Sequence, residues 1–134
     1  MHSVRFGTTR EYFEVVLPVE IGTQGWARAR VRLAVTGFVA DLFAFFDKED
    51  FARFASQLHK LNQTLEGFAK LEPLDRQVSL VLSVDNRGRL KLKGDLWSHA
   101  TFGNKLEFEF ELDQTFLQEP LAQVQDALHH WAEE

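Results

Sequence analysis

The sequence contains no cysteine. That excludes disulfides, zinc–thiolate sites and cysteine nucleophiles, and a domain that is stable without disulfides is at home in the cytoplasm. No stretch approaches the roughly 20 apolar residues needed to cross a bilayer, and the N-terminus, MHSVRFGTTREYF, has no apolar run of the signal-peptide kind. Positive charge is not in excess either: 15 Lys and Arg stand against 20 Asp and Glu, a net charge of −5. Nucleic-acid binding draws on basic surface, so this balance argues against it and suits a basic protein partner instead, while also keeping the chain soluble. The glycines form neither a dinucleotide-binding nor a P-loop pattern, and there is no G-x-S-x-G nucleophile elbow.

What is present is core material. The 134 residues are the length of one domain, residues 1–134, and 45% of them are hydrophobic, thirteen being Phe. Phenylalanine carries much burial area and no polar handle, so these rings point to packing rather than chemistry. Val4 and Phe6, the turn signal Gly7-Thr8-Thr9-Arg10 and Tyr12 to Leu17 predict a hairpin. After a second turn at 21–25, Ala27, Ala29, Val31, Leu33 and Val35 alternate with Arg28, Arg30 and Arg32 at the period of a half-buried strand. Gly37 interrupts this run, and a bulge there lets Phe38, Ala40, Leu42, Ala44 and Phe46 continue the inner face.

Asp47 is placed to cap a helix whose stripe is Phe51, Phe54, Leu58, Leu61 and Leu65. Three strands follow: Phe68 to Glu72, a run with Val78, Leu80, Leu82 and Val84 on one side, and, past the turn Asp85-Asn86-Arg87-Gly88, one in which Leu90 and Leu92 alternate with Arg89, Lys91 and Lys93. Gly94 to Asn104 reads as a loop or frayed strand. The last strand points Leu106, Phe108, Phe110 and Leu112 inward and Glu107, Glu109 and Glu111 outward. The final stripe is Leu117, Leu121, Val124, Leu128 and Trp131. Pro120 would lose a hydrogen bond inside a helix begun at Asp113, so the regular helix is expected to start near Gln118, with Asp113 to Leu117 as a separate turn.

The order, strands, helix, meander, helix, contains no βαβ alternation and no sequence repeat. It predicts an α+β domain: one antiparallel, strongly twisted sheet of about six to seven strands with two helices packed on one face. Phe54, Leu58, Phe108, Phe110, Val124 and Leu128 are expected to share its core.

No catalytic set can be read. His129 and His130 are adjacent and point about 100° apart on a helix, so they lack the zinc-binding i, i+4 spacing; Asp126–His130 and His129–Glu133 are spaced as surface ion pairs. His99 beside Trp97 is the best single candidate for a site, with no second acid–base group at defined spacing. Asp41, in an apolar strand, needs a bulge or an edge position to reach water. The regular surface feature is the set of charged columns. Glu107, Glu109 and Glu111 can face Arg89, Lys91 and Lys93 across an antiparallel pair, either as a self-neutralising solvated face or as a polar protein-binding face. Arg28, Arg30 and Arg32 make a second column whose neighbour the sequence does not place. Neither a metal nor a cofactor is expected.

Three stretches, ADLFAFFDKEDFARFASQLHKL, VSLVLSVDNRGRLKLKG and LEFEFELDQTFLQEPLAQVQDAL, resemble the WapI-type bacterial immunity proteins, Asp-Gln-Thr after the alternating strand being the sharpest element. The resemblance implies a non-catalytic antidote that binds a toxin domain, often a nuclease, in the bacterial cytoplasm. It carries no catalytic residues. Glu107, Glu109, Glu111, Arg28, Arg30, Arg32, Trp97 and His99 are the partner-binding candidates, the acid column first, as a steering surface for a basic toxin; a homo-oligomer is also compatible with this pattern. The competing reading is a small-molecule or enzymatic site near Trp97, His99 and Phe102.

Overall fold

The chain runs through four strands and a helix, and then does so again. In the computed structural model, which describes residues 2–18, 21–22, 24–100 and 102–132, β1 (His2–Gly7), β2 (Tyr12–Leu17), β3 (Trp26–Val35) and β4 (Phe38–Asp47) lead into α1 (Lys48–Thr64). Strands β5 (Phe68–Leu71), β6 (Val78–Val84), β7 (Arg89–His99) and β8 (Phe102–Asp113) lead through a 3-10 turn, Gln114–Leu117, into α2 (Gln118–Ala132). Each meander forms its own four-stranded antiparallel sheet, with its strands in chain order. The α+β class, the antiparallel pairing and the two helices are as the sequence predicts. In detail, the single sheet is divided into two, because α1 separates β4 from β5 and no strand pairs across that break.

The helices also differ in detail from a pair lying on one sheet face. α2 lies against β1, α1 lies against β5, and the helices touch each other. Each helix therefore covers the first strand of the half it does not belong to. Inward residues of both sheets and both helices form one apolar cluster. Phe13 of β2 stacks on Phe108 of β8 with centroids 6.0 Å apart, which joins the two sheets directly. Of the six expected core residues, Phe54, Leu58, Phe108, Phe110 and Val124 are buried in this cluster, and Leu128 packs on it half-buried.

Both helices start on an aspartate that ends an alternating strand. Asp47 accepts the N–H of Glu49 at 2.8 Å, and Asp50 returns the contact by accepting the N–H of Asp47 at 2.8 Å, a reciprocal cap. Burial pushes the Asp50 carboxyl up from its ordinary pKa. Asp113 accepts the N–H of Thr115 at 2.9 Å, which holds its carboxyl below the ordinary value. Pro120 sits in the first turn of α2, as its missing N–H requires.

Two local expectations are corrected. Gly37 is no bulge: Val35 pairs directly with Phe38, and Gly37, at φ +87°, sits in the two-residue turn between them. The residues after it keep the expected inward phase, except that Phe38 at the turn is exposed. Gly94 to Asn104 is not a loop, since β7 continues to His99 and β8 begins at Phe102 with an irregularity between Trp97 and His99. Of the turn at 21–25, Thr23 lies outside the described residues, as does Glu133, named above as a partner of His129.

One polar side chain fastens the two sheets together. Gln77 is buried, and its Nε2 donates to the carbonyls of Phe43 on β4, at 2.9 Å, and of Trp97 on β7, at 3.2 Å. Gln77→Leu would leave those carbonyls without this donor. We expect it to lower the unfolding free energy by about 1–3 kcal/mol, read from urea denaturation. A loss under about 0.5 kcal/mol would mean that water takes over the role of the amide.

Candidate protein-binding surfaces

The acid column lies on the solvent side of β8, the edge strand of the second sheet. In register, Lys91 faces Glu111 and Lys93 faces Glu109, as expected from the alternation, while Glu107 faces Asp95. The closest contacts run diagonally: Lys91 Nζ to Glu109 at 2.9 Å, Arg89 Nε to Glu111 at 3.9 Å, and along the strand Lys105 Nζ to Glu107 at 3.1 Å. Hydrogen bonding to Lys91 lowers the Glu109 pKa, and the same contact raises that of Lys91. Each carboxylate of the column therefore already has a cation beside it. Glu107 and Glu109 line, with Lys93 and Asp95, an open trough of about 640 Å³.

The arginine column lies on the solvent side of β3, and the structure supplies the neighbours that the sequence could not. Arg30 Nε and Nη2 donate to the two oxygens of Asp41 on β4 at 2.8 and 2.6 Å. This fork raises the Arg30 pKa and lowers that of Asp41. Asp41 is thus exposed on an edge strand and paired. Arg32 lies 3.8 Å from Glu14 of β2, whose other oxygen is 3.6 Å from Arg5. Arg28 makes no ion pair among the described residues; its guanidinium lies over the Phe43 ring, 4.0 Å from the centroid.

The same face holds residues that the sequence reading missed. Phe43 and Phe45 project outward from β4 and are 49% and 53% exposed; Val39 and Trp26 are exposed on the same side. A signal for them was present. Asp41 marks the outward side of β4, so residues two and four further along must share that side.

Trp97, His99 and Phe102 do not converge on one cavity. Trp97 lines a polar depression of about 430 Å³ with Glu72, Arg76, Asp95 and Lys105, and His99 and Phe102 stand outside it. The His99 and Phe102 rings stack on each other, centroids 4.7 Å apart, on the exposed tip of the β7–β8 hairpin. His99 Nδ1 is 3.1 Å from Ser98 Oγ. Among the described residues, no group of three His, Asp or Glu is placed to hold a metal ion, and no helix is long and apolar enough to cross a membrane.

Compared with known proteins, the sequence matches the "Immunity protein WapI-like family" over residues 4–131, almost its full length. The chain belongs to the WapI-like immunity protein family. No curated protein matches it. Among solved structures, the fold is similar to that in "Crystal structures of trypanosoma bruciei MRP1/MRP2", with a TM-score of 0.54 over 96% of this chain and 83% of that one, at 11% identity. That likeness concerns the arrangement of the backbone. It extends to the whole domain, so the WapI-like architecture is that of a twofold meander-and-helix layout rather than a single sheet.

Proposed function

We propose that this chain is an immunity protein that binds and neutralises a toxin domain of the nuclease type in the bacterial cytoplasm, acting by occupation and without chemistry of its own. Family membership across residues 4–131 is the observation that carries this reading. The geometry agrees with it: two broad sheet faces are open to solvent, while Trp97, His99 and Phe102 are not gathered around a common cavity. The test is to mix the purified chain with the toxin domain encoded beside its gene, then follow complex formation by light scattering and toxin activity by its own assay. An equimolar complex with loss of toxin activity is expected. Full toxin activity at a large molar excess of the chain would sink the proposal.

A further inference from the structure

The two edge strands that close the meanders occupy equivalent positions, yet their outward sides differ. On β8 the outward positions are Lys105, Glu107, Glu109, Glu111 and Asp113, all charged, which is how an exposed edge is normally kept solvated. On β4 they are Val39, Asp41, Phe43 and Phe45. Two phenylalanines about half exposed, beside an exposed Trp26 and an arginine column, form an apolar patch that one sheet tolerates and the other avoids. Interface cores are enriched in Trp, Phe, Tyr and Arg and depleted in Lys; the outward positions of β3 and β4 hold three arginines and no lysine.

We propose that the outer face of β3 and β4, centred on Arg28, Phe43 and Phe45 with Trp26 at its end, is the docking surface for an acidic patch on the toxin. This rests on the toxin-binding reading and adds the sign of the partner's charge. Charge complementarity selects the occupant. The described outer face of the first sheet carries four arginines, Arg5 among them, against the carboxylates of Glu14 and Asp41, an excess of two positive charges on a chain whose net charge is −5. Asp47, at the end of the strand, is committed to capping α1. Arg30 and Arg32 have intramolecular carboxylates; Arg28 has only the Phe43 ring beneath it. Stacking fixes the guanidinium plane and leaves its donors for a carboxylate from outside.

Other occupants fit less well. A second copy docked face to face would bring equal positive patches together. A strand added along the β4 edge would meet the Gln77 amide, which already takes the Phe43 carbonyl. A nucleic-acid strand would meet Asp41 and Glu14 in the middle of the face, with Arg28 as the cation free of an ion pair; nucleic-acid binding draws on several uncompensated cations.

The experiment compares wild type, Arg28→Glu, Phe45→Ala and the Glu107→Lys/Glu109→Lys/Glu111→Lys triple variant. Affinity for the same toxin domain is measured by surface plasmon resonance, with circular dichroism as the folding control. Arg28→Glu and Phe45→Ala should each weaken binding by roughly ten-fold or more, the scale of an interface anchor, while a folded triple variant stays within about three-fold of wild type. The opposite pattern, with the triple variant impaired and the other two unaffected, would overturn the inference and leave the toxin-binding function standing. If wild type does not neutralise the toxin, the function itself fails. The surface is then judged by NMR titration of the wild type with poly-L-glutamate: shifts confined to Trp26, Arg28, Phe43 and Phe45 sustain an acid-binding face, and their absence refutes it. Tighter binding of a thymidine oligonucleotide at these residues, or a dimer that Phe45→Ala dissolves, would also refute it.

Discussion

Phe54→Ala is expected to lower the unfolding free energy by about 3–5 kcal/mol, the range for removing a fully packed aromatic ring. Phe54 has no solvent exposure, and it meets Phe6 edge-on with centroids 6.1 Å apart. Phe6 lies on β1, the strand that α2 covers, whereas Phe54 lies on α1, which covers β5. The ring therefore sits where the two halves of the molecule meet, and collapse around its cavity would have to move both. Phe108→Ala should fall at the lower end of the same range. Phe108 is on the edge strand β8, retains 6% exposure and stacks on Phe13 at 6.0 Å, so water can reach part of the space it vacates. Equilibrium denaturation with the slope held in common provides the measurement. A Phe54→Ala loss below about 1 kcal/mol, well under the usual cost of such a truncation, would mean that α1 does not enter the shared core.

These rings also show what the sequence could and could not disclose. Binary pattern reports which side of a strand faces inward. It placed the buried sides of β3, β6 and β8 correctly, including Phe108 and Phe110. It carries no information about which strands are neighbours once a helix intervenes, so β4 and β5 read as members of one sheet. The repeated layout of four strands and a helix was hidden for the same reason: β1 has six residues where its counterpart β5 has four, and the second helix is entered through a 3-10 turn where the first is not.

The surface was legible in one half only. The Lys91–Glu109 and Arg89–Glu111 contacts follow from a hairpin whose turn, Asp85 to Gly88, is plain in the sequence. Asp85 accepts the N–H groups of Arg87 and Arg89, so this turn fixes the register of the whole charged ladder. The arginine column needed the Gly37 turn to be read as a turn. With a bulge there, β4 continues β3 and Arg30 has no facing Asp41; with a two-residue turn, Asp41 pairs across to it, and Phe43 and Phe45 emerge beside Arg28. A single glycine thus decides whether the face looks polar or mixed. The family resemblance identified the class of protein, whereas this local geometry identifies the part of it that is unlike a solvated sheet.

Gly94→Ala should cost about 3 kcal/mol, the upper part of the range for an overpacked interior, although it adds one methyl group. Gly94 lies in the middle of β7, opposite Leu80 of β6 and Phe108 of β8. A Cβ built there would collide with the backbone carbonyl of Ser79 and lie 3.0 Å from Cζ of Phe108. The phenyl ring can swing aside, but the carbonyl belongs to a paired strand and moves only if β6 moves. The glycine is thus required for close approach of two backbones. Gly37→Ala provides the contrast, because nothing lies within 4 Å of its Cβ and only its φ of +87° opposes substitution, a penalty of about 1–2 kcal/mol. Thermal denaturation of both variants, with amide exchange at Ser79 to Val81 as a local readout, tests the distinction. Adding Phe108→Leu to Gly94→Ala should restore little, because it relieves the ring contact and leaves the carbonyl contact in place. If the double variant regains wild-type stability, the aromatic ring rather than the spacing of β6 and β7 is what excludes a side chain at position 94.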